Sequence, residues 1–127
     1  MARLVVDADD LVLRLSWRER LLTRHREVRV ALADVRDVWI EPDWWRALRG
    51  GSRGGVCRPG LCAGERAHPR GTDFVVVRAG ETAVVVDLWP SASSAPYARL
   101  AVTAPEPDPE LVRTVRERLG RERVRSV

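Results

Sequence analysis

The chain has 127 residues, a formal net charge of +4 and a hydrophobic content of 45%. This length and composition predict one folded domain and exclude a disordered chain. All 22 residues counted as lysine or arginine are arginine, and the sequence also contains no asparagine or glutamine. A bias that affects every position is typical of a GC-rich genome, so the arginine content alone does not indicate phosphate binding. The net positive charge still favours contact with anionic partners.

The N-terminal residues do not have the pattern of a secretory signal peptide. Four charged residues interrupt the apolar run that such a peptide requires. They are Asp7, Asp9, Asp10 and Arg14. No uncharged apolar stretch approaches the roughly 20 residues needed to span a membrane. We therefore expect a cytoplasmic protein.

Short stretches of alternating apolar and polar residues predict β-strands through most of the chain. The predicted strands are 4–6, 11–17, 28–32, 38–40, 74–77, 84–88 and 97–103, and residues 61–66 also fit a short strand. The first two strands are expected to form a hairpin across the acidic turn 8–10. Residues 78–81 are predicted to form a turn that contains a glycine. Apolar residues on both faces of 74–77 and 84–88 place these two strands in the middle of a sheet.

A helix is predicted over residues 108–120. Asp108 is suited to cap its first turn, and Pro109 to occupy its first position, where no backbone N–H is needed. Its apolar stripe consists of Leu111, Val112, Val115 and Leu119. We expect this stripe to pack on the strands, and residues 121–127 beyond Gly120 to form a flexible basic tail.

Between residues 42 and 72 the alternation is lost, and glycine and arginine become frequent. This stretch predicts an irregular insertion within a single domain that spans residues 1–120. Trp44 and Trp45 follow Asp43, which is suited to cap one helical turn. An exposed tryptophan beside arginines is typical of a protein interface, a membrane surface or a single-stranded nucleic acid site, whereas two buried tryptophans would cover an open barrel end. The candidate binding residues are Trp44, Trp45, Arg46, Arg49, Arg53 and Arg58.

Four stretches, residues 30–38, 59–64, 73–80 and 97–102, resemble the pleckstrin-homology-like barrel domains of bacteria. Together with the order of elements, the resemblance implies a mainly β fold, either a seven-stranded bent barrel or a rolled antiparallel sheet, with one C-terminal helix. It implies no single activity, because such barrels bind lipids, peptides or proteins.

Relatives that bind phosphoinositides use basic residues of the first loop between strands. Depending on which strand is first, that loop holds the aspartates of 7–10 or the arginines of 18–26. Leu21 and Leu22 predict that part of the second segment packs inward.

The cysteines Cys57 and Cys62 are separated by four residues, and the histidines are His25 and His68. Zinc sites usually contain tighter pairs of ligands, so we expect no metal and no cofactor. A disulfide is compatible with the cysteine spacing, but a cytoplasmic location favours two reduced thiols. A pairing of either cysteine with His68 is the nearest approach to a nucleophilic site, and no local motif of such an enzyme accompanies it.

These observations predict a noncatalytic intracellular interaction module that binds a protein or peptide partner. The alternative is a protein that binds an anionic surface, membrane lipid or nucleic acid, through the basic segment 44–71. A third hypothesis is a thiol- or metal-dependent protein that uses Cys57 and Cys62.

Overall fold

In the part of the chain that the structure describes, the protein is mainly β, with two sheets and two α-helices. The structure is a computed structural model that describes residues 2–24, 27–89, 97–106 and 108–125, with side chains of the last helix to residue 120. The strands are β1 (Arg3–Asp7), β2 (Asp10–Arg14), β3 (Glu27–Ala31), β4 (Val35–Glu41), β5 (Gly51–Ser52), β6 (Val56–Arg58), β7 (Leu61–His68), β8 (Gly71–Arg78), β9 (Thr82–Leu88) and β10 (Arg99–Ala104). The helices are α1 (Trp17–Thr23) and α2 (Pro109–Arg125), with 3₁₀ turns at Leu32–Asp34 and Trp44–Ala47.

β1, β2 and β3 form a three-stranded antiparallel sheet. The predicted hairpin of β1 and β2 is confirmed, and its two-residue turn places Ala8 in the left-handed region with a φ of 53°. β2 ends at Arg14, so the prediction of a strand through Trp17 was wrong. The reason is a capping box, in which Ser16 Oγ accepts from the Glu19 N–H at 3.3 Å and Ser16 N–H donates to Glu19 Oε1 at 2.8 Å. These two hydrogen bonds start α1 and end the extended chain.

The second sheet has seven strands in the order β4–β9–β10–β8–β7–β5, and β6 pairs with β7. The turn between β8 and β9 is present, but the two strands do not pair with each other. β10 lies between them, parallel to β8 and antiparallel to β9. The expectation of a wholly antiparallel sheet was therefore wrong at this pair. Within the described residues, the two sheets do not close into a barrel.

The segment 42–72 is not the irregular insertion that its composition predicted. It contains a 3₁₀ turn, the short edge strands β5 and β6, and β7, which pairs with β8 along eight residues. β7 confirms the short strand predicted at 61–66. β5 and β6 are interrupted by a bulge at residues 53–55, where the N–H groups of Arg53 and Gly54 donate to the Glu65 carbonyl. Gly64 has a φ of +134°, and a Cβ at this position would lie 2.3 Å from the Gly54 carbonyl oxygen. This close approach of the two backbones requires glycine at position 64.

The main core lies between the two sheets and α2. The fully buried Leu11, Leu13, Phe74 and Leu100 belong to it, and Val115 contributes from the helix. The predicted apolar stripe of α2 is thus confirmed as a packing face. The helix continues to Arg125, so its predicted end at residue 120 was wrong. Gly120 does not end the helix, because a glycine inside a helix costs only about 1 kcal/mol relative to alanine. Residues 121–125 of the predicted tail are helical, and 126–127 lie outside the described residues.

The outer face of the seven-stranded sheet, as we call the side opposite α2, holds a second apolar cluster. Its buried members are small: Ala47, Cys62, Val75, Val77, Ala83, Val85 and Ala101. Trp39, Trp44 and Leu48 pack against them and are partly buried. The chain between β4 and β5 therefore covers this face, and small strand side chains allow it to lie close.

Candidate functional site

The two adjacent tryptophans have different environments. Trp44 packs on the outer face, whereas the Trp45 side chain is 56% exposed. Their rings meet edge to face at 88°, with 5.7 Å between centroids. Arg46 follows on the same 3₁₀ turn and is exposed, with its Nε 3.5 Å from Asp43 Oδ2. The turn thus presents one tryptophan and one arginine to solvent.

Arg49, the fourth predicted residue, is paired with a buried carboxylate. Its Nε and Nη2 donate to Asp73 Oδ2 and Oδ1 at 2.8 and 2.7 Å, and Asp73 is fully buried. This hydrogen bonding raises the pKa of Arg49 above its usual value. The pair fastens the segment 44–50 to β8, so the charge of Arg49 serves an internal contact.

His68 completes this carboxylate's partners. Its Nδ1 accepts from the Arg70 N–H at 3.1 Å, which places the proton on Nε2. Nε2 then donates to Asp73 Oδ1 at 2.8 Å. Because both ring nitrogens are engaged, His68 has no free nitrogen to act as a base for Cys57 or Cys62. His25 lies outside the described residues.

A second buried carboxylate extends the charged row across the sheet. Asp87 accepts from Arg99 Nε and Nη2 at 2.6 and 3.2 Å, and from Arg36 Nη2 at 3.4 Å. In the strand register Arg99 lies opposite Asp73 on β8 and opposite Asp87 on β9. The guanidinium of Arg99 also stacks 5.3 Å from the Trp39 ring centroid. Negative, positive and negative side chains therefore alternate over three central strands, which is a structural arrangement in which each charge has a partner.

The last two predicted residues lie away from this group. Arg53 Nη1 donates to Thr72 Oγ1 at 3.1 Å. Thr72 precedes Asp73 on β8, so the Thr72 side chain lies on the face of the sheet opposite to that of Asp73. Arg58 is exposed at the end of the β6–β7 hairpin. The structure therefore brings together Trp44, Trp45, Arg46 and Arg49 but distributes the remaining positive charge. Among the residues that the structure describes, no three His, Cys, Asp or Glu side chains form a group suited to hold a metal ion.

Among the described side chains, the most exposed apolar surface lies on α1, which sequence reasoning missed. Trp17 is 66% exposed and Leu21, one turn later, is 71% exposed, and Leu22 beside them is 37% exposed. We call Trp17, Arg18, Leu21 and Leu22 the α1 surface. Part of the segment 18–26 packs inward as expected, but through Glu19 and Thr23, and the two leucines face outward. The Ser-x-x-Glu spacing of the capping box was the signal that could have revealed this helix.

The surroundings of the α1 surface are basic and partly concave. Arg18, Arg20 and Arg24 are exposed, and the Arg18 guanidinium lies 5.4 Å from the Trp17 ring centroid. Glu19, the acidic residue of the helix, is buried in the capping box. A groove of about 620 Å³ separates the helix from the bulge at residues 53–55. Its lining includes Leu21, Leu22, Gly54, Gly55, Val56 and Glu65.

Comparison with protein-family models, curated proteins and solved structures finds no match to this chain. In the part of the chain that the structure describes, neither helix combines the length and the apolar character needed to cross a bilayer.

Proposed function

We propose that the protein is a noncatalytic interaction module that binds an acidic, apolar segment of a partner protein at the α1 surface. The observation that carries the proposal is the exposure of Trp17, Leu21 and Leu22 together on one short helix. Contiguous exposed apolar groups are uncommon on a soluble domain and usually mark a contact surface. Tryptophan and arginine are also the residue types that most often dominate binding energy at protein interfaces.

The charge of this surface selects the partner. Arg18 and Arg24 are exposed, whereas the carboxylate of Glu19 is already engaged by the backbone of Ser16. An acidic segment would meet complementary charge at the rim, while its apolar side chains contact Trp17 and Leu21. The adjoining groove can hold one apolar side chain of the partner against Leu22.

The alternative, an anionic-surface binder through segment 44–71, has less support. Arg49 is paired with a buried carboxylate, and Arg53 and Arg58 do not accompany Trp45. A pleckstrin-homology-like classification and a cytoplasmic location remain parts of the proposal. The mainly β composition and the packing of α2 against the strands are compatible with that classification.

Selection from a random-peptide library on the purified protein tests the proposal. We expect the selected peptides to combine acidic with large apolar residues. A Trp17→Ala, Leu21→Ala double variant should weaken their binding by at least about tenfold, which corresponds to roughly 1.4 kcal/mol. Trp45→Ala is the matched control, because it removes another exposed tryptophan away from α1 and should leave the dissociation constant within about twofold.

Two results would refute this assignment. Peptides that bind the double variant as tightly as the wild type would place the site elsewhere, and loss in Trp45→Ala alone would indicate the 44–49 region. Vesicles that contain phosphatidylserine form a separate arm of the experiment. Salt-sensitive vesicle binding that the double variant loses, without any selected peptide, would replace the protein partner by a lipid surface.

A further inference from the structure

The β6–β7 hairpin places the two cysteines directly opposite each other. Arg58 and Leu61 close a two-residue turn, in which Gly60 has a φ of +93°, and the next pair in register is Cys57 and Cys62. Directly opposed residues on antiparallel strands have Cβ atoms about 4.5–5.5 Å apart, close to the 3.5–4.5 Å that a disulfide requires. β6 is a three-residue edge strand, so a small shift of the hairpin can supply the difference.

Arg66 holds a positive charge against both sulfurs. Its Nη1 lies 3.3 Å from Cys57 Sγ and 3.3 Å from Cys62 Sγ. Two backbone carbonyls fix the guanidinium, since Nε donates to the Arg49 carbonyl at 2.9 Å and Nη2 to the Gly50 carbonyl at 2.6 Å. A fixed guanidinium attracts the negative charge that develops on a sulfur when its proton leaves, and it opposes the binding of a metal cation.

The two thiols differ in access to solvent. Cys57 is exposed, whereas Cys62 is 5% exposed and belongs to the apolar cluster of the outer face. Burial is the main cause, and the hydrogen bond with Cys57 the second, that raises the pKa of Cys62 to about 11. An oxidant in solution therefore reaches Cys57 first, and Cys62 is positioned behind it.

We propose that Cys57 and Cys62 form a peroxide-reactive thiol pair that closes to a reversible disulfide. This assignment is independent of the α1 surface. The thiolate sulfur of Cys57 attacks one oxygen of hydrogen peroxide, an S–O bond forms, the O–O bond breaks, and the leaving hydroxide takes up the proton released by Cys57. Cys62 then attacks the sulfenic sulfur, the S–S bond forms, the S–O bond breaks, and the second water leaves with the proton of Cys62. The two sulfurs together lose two electrons, and the peroxide is reduced to two molecules of water.

Treatment of the reduced full-length protein with one equivalent of hydrogen peroxide tests the assignment. We expect both thiols to become resistant to alkylation, the intact mass to fall by about 2 Da, and dithiothreitol to restore both. Cys62→Ser should stop at a sulfenic acid that dimedone traps on Cys57. In Cys57→Ser the remaining thiol should react at least about tenfold more slowly, because burial limits access to its sulfur.

Arg66→Met tests the role of the guanidinium and should slow disulfide formation by about tenfold. Arg58→Met is its matched control. Arg58 follows Cys57 on β6, so its side chain belongs to the other face of the strand. Removing its charge should leave the rate of disulfide formation at the wild-type value. Equal rates in Arg66→Met and the wild type would refute the role of Arg66. Two free thiols after peroxide treatment, or a disulfide formed only between two molecules, would overturn the whole assignment. These outcomes do not depend on any peptide binding at α1.

Discussion

The buried carboxylate of Asp73 should be one of the most sensitive positions for stability. Asp73→Asn keeps the shape of the side chain but removes its charge and turns one acceptor into a donor. Asp73 Oδ1 accepts from Arg49 and His68 and its Oδ2 accepts from Arg49. The amide –NH₂ of asparagine must therefore face at least one of these donors.

The size of the effect follows from the exposure of the partners. Breaking a fully buried pair costs about 3–5 kcal/mol. The Arg49 side chain is 26% exposed and can turn partly toward water, whereas His68 is 5% exposed and cannot. We therefore expect Asp73→Asn to lower the free energy of unfolding by about 2–3 kcal/mol, since part of the buried-pair cost is relieved by solvation of Arg49.

Urea denaturation followed by tryptophan fluorescence measures this change. The midpoint should fall with little change in the slope m, because the native fold is kept. Asp43→Asn is the control, since its partner Arg46 is 66% exposed and the pair is worth about 0–1 kcal/mol. A loss below about 1 kcal/mol in Asp73→Asn would refute the reasoning, because a buried charged cluster cannot lose its central charge at so small a cost.

Three further predictions concern packing, backbone and thiol chemistry. Leu119→Ala should lower the free energy of unfolding by about 2–5 kcal/mol, because this core side chain is only 7% exposed. Urea denaturation measures the change, and an unchanged midpoint would show that α2 is peripheral. Gly64→Ala should lower the melting temperature, because the new Cβ would lie 2.3 Å from a carbonyl oxygen. Gly120→Ala should raise it, because a Cβ there has no atom within 4 Å and alanine favours the helix. A shift of the melting temperature in the same direction for both variants would contradict the structure. Iodoacetamide at pH 8 should label Cys57 before Cys62. Labelling of Cys62 should rise as the pH approaches its pKa of about 11, because its thiolate forms there. Equal labelling of the two cysteines at pH 8, measured by peptide mass spectrometry, would place Cys62 at the surface.

Features that depend on neighbouring residues were predictable from the sequence. The β1–β2 hairpin needs only alternation and a two-residue turn, and both are present in one short stretch. The packing face of α2 follows in the same way from apolar residues at helical spacing behind a proline start. The register of the hairpin and the burial of Val115 confirm these two elements.

The candidate site was only partly predictable, since charge counting treats all arginines alike. Segment 44–71 is basic by composition, but Arg49 lies beside a carboxylate 24 residues later in the chain. Trp45 remained exposed while its neighbour Trp44 was covered, which sequence reasoning had left open. On α1 the opposite happened, because leucines that looked suited to a core lie at the surface.

The sequence by itself determined the mainly β composition, the first hairpin and the amphipathic helix, because each is specified by contacts within about ten residues. Only the tertiary structure decided that β10 lies between β8 and β9, and that the strand predicted at 61–66 pairs with β8 along eight residues. The choice of strand partner depends on burying both faces of a strand, and the role of a glycine such as Gly64 depends on the backbone packed against it. Both depend on distant parts of the chain, and no local pattern of residues encodes them.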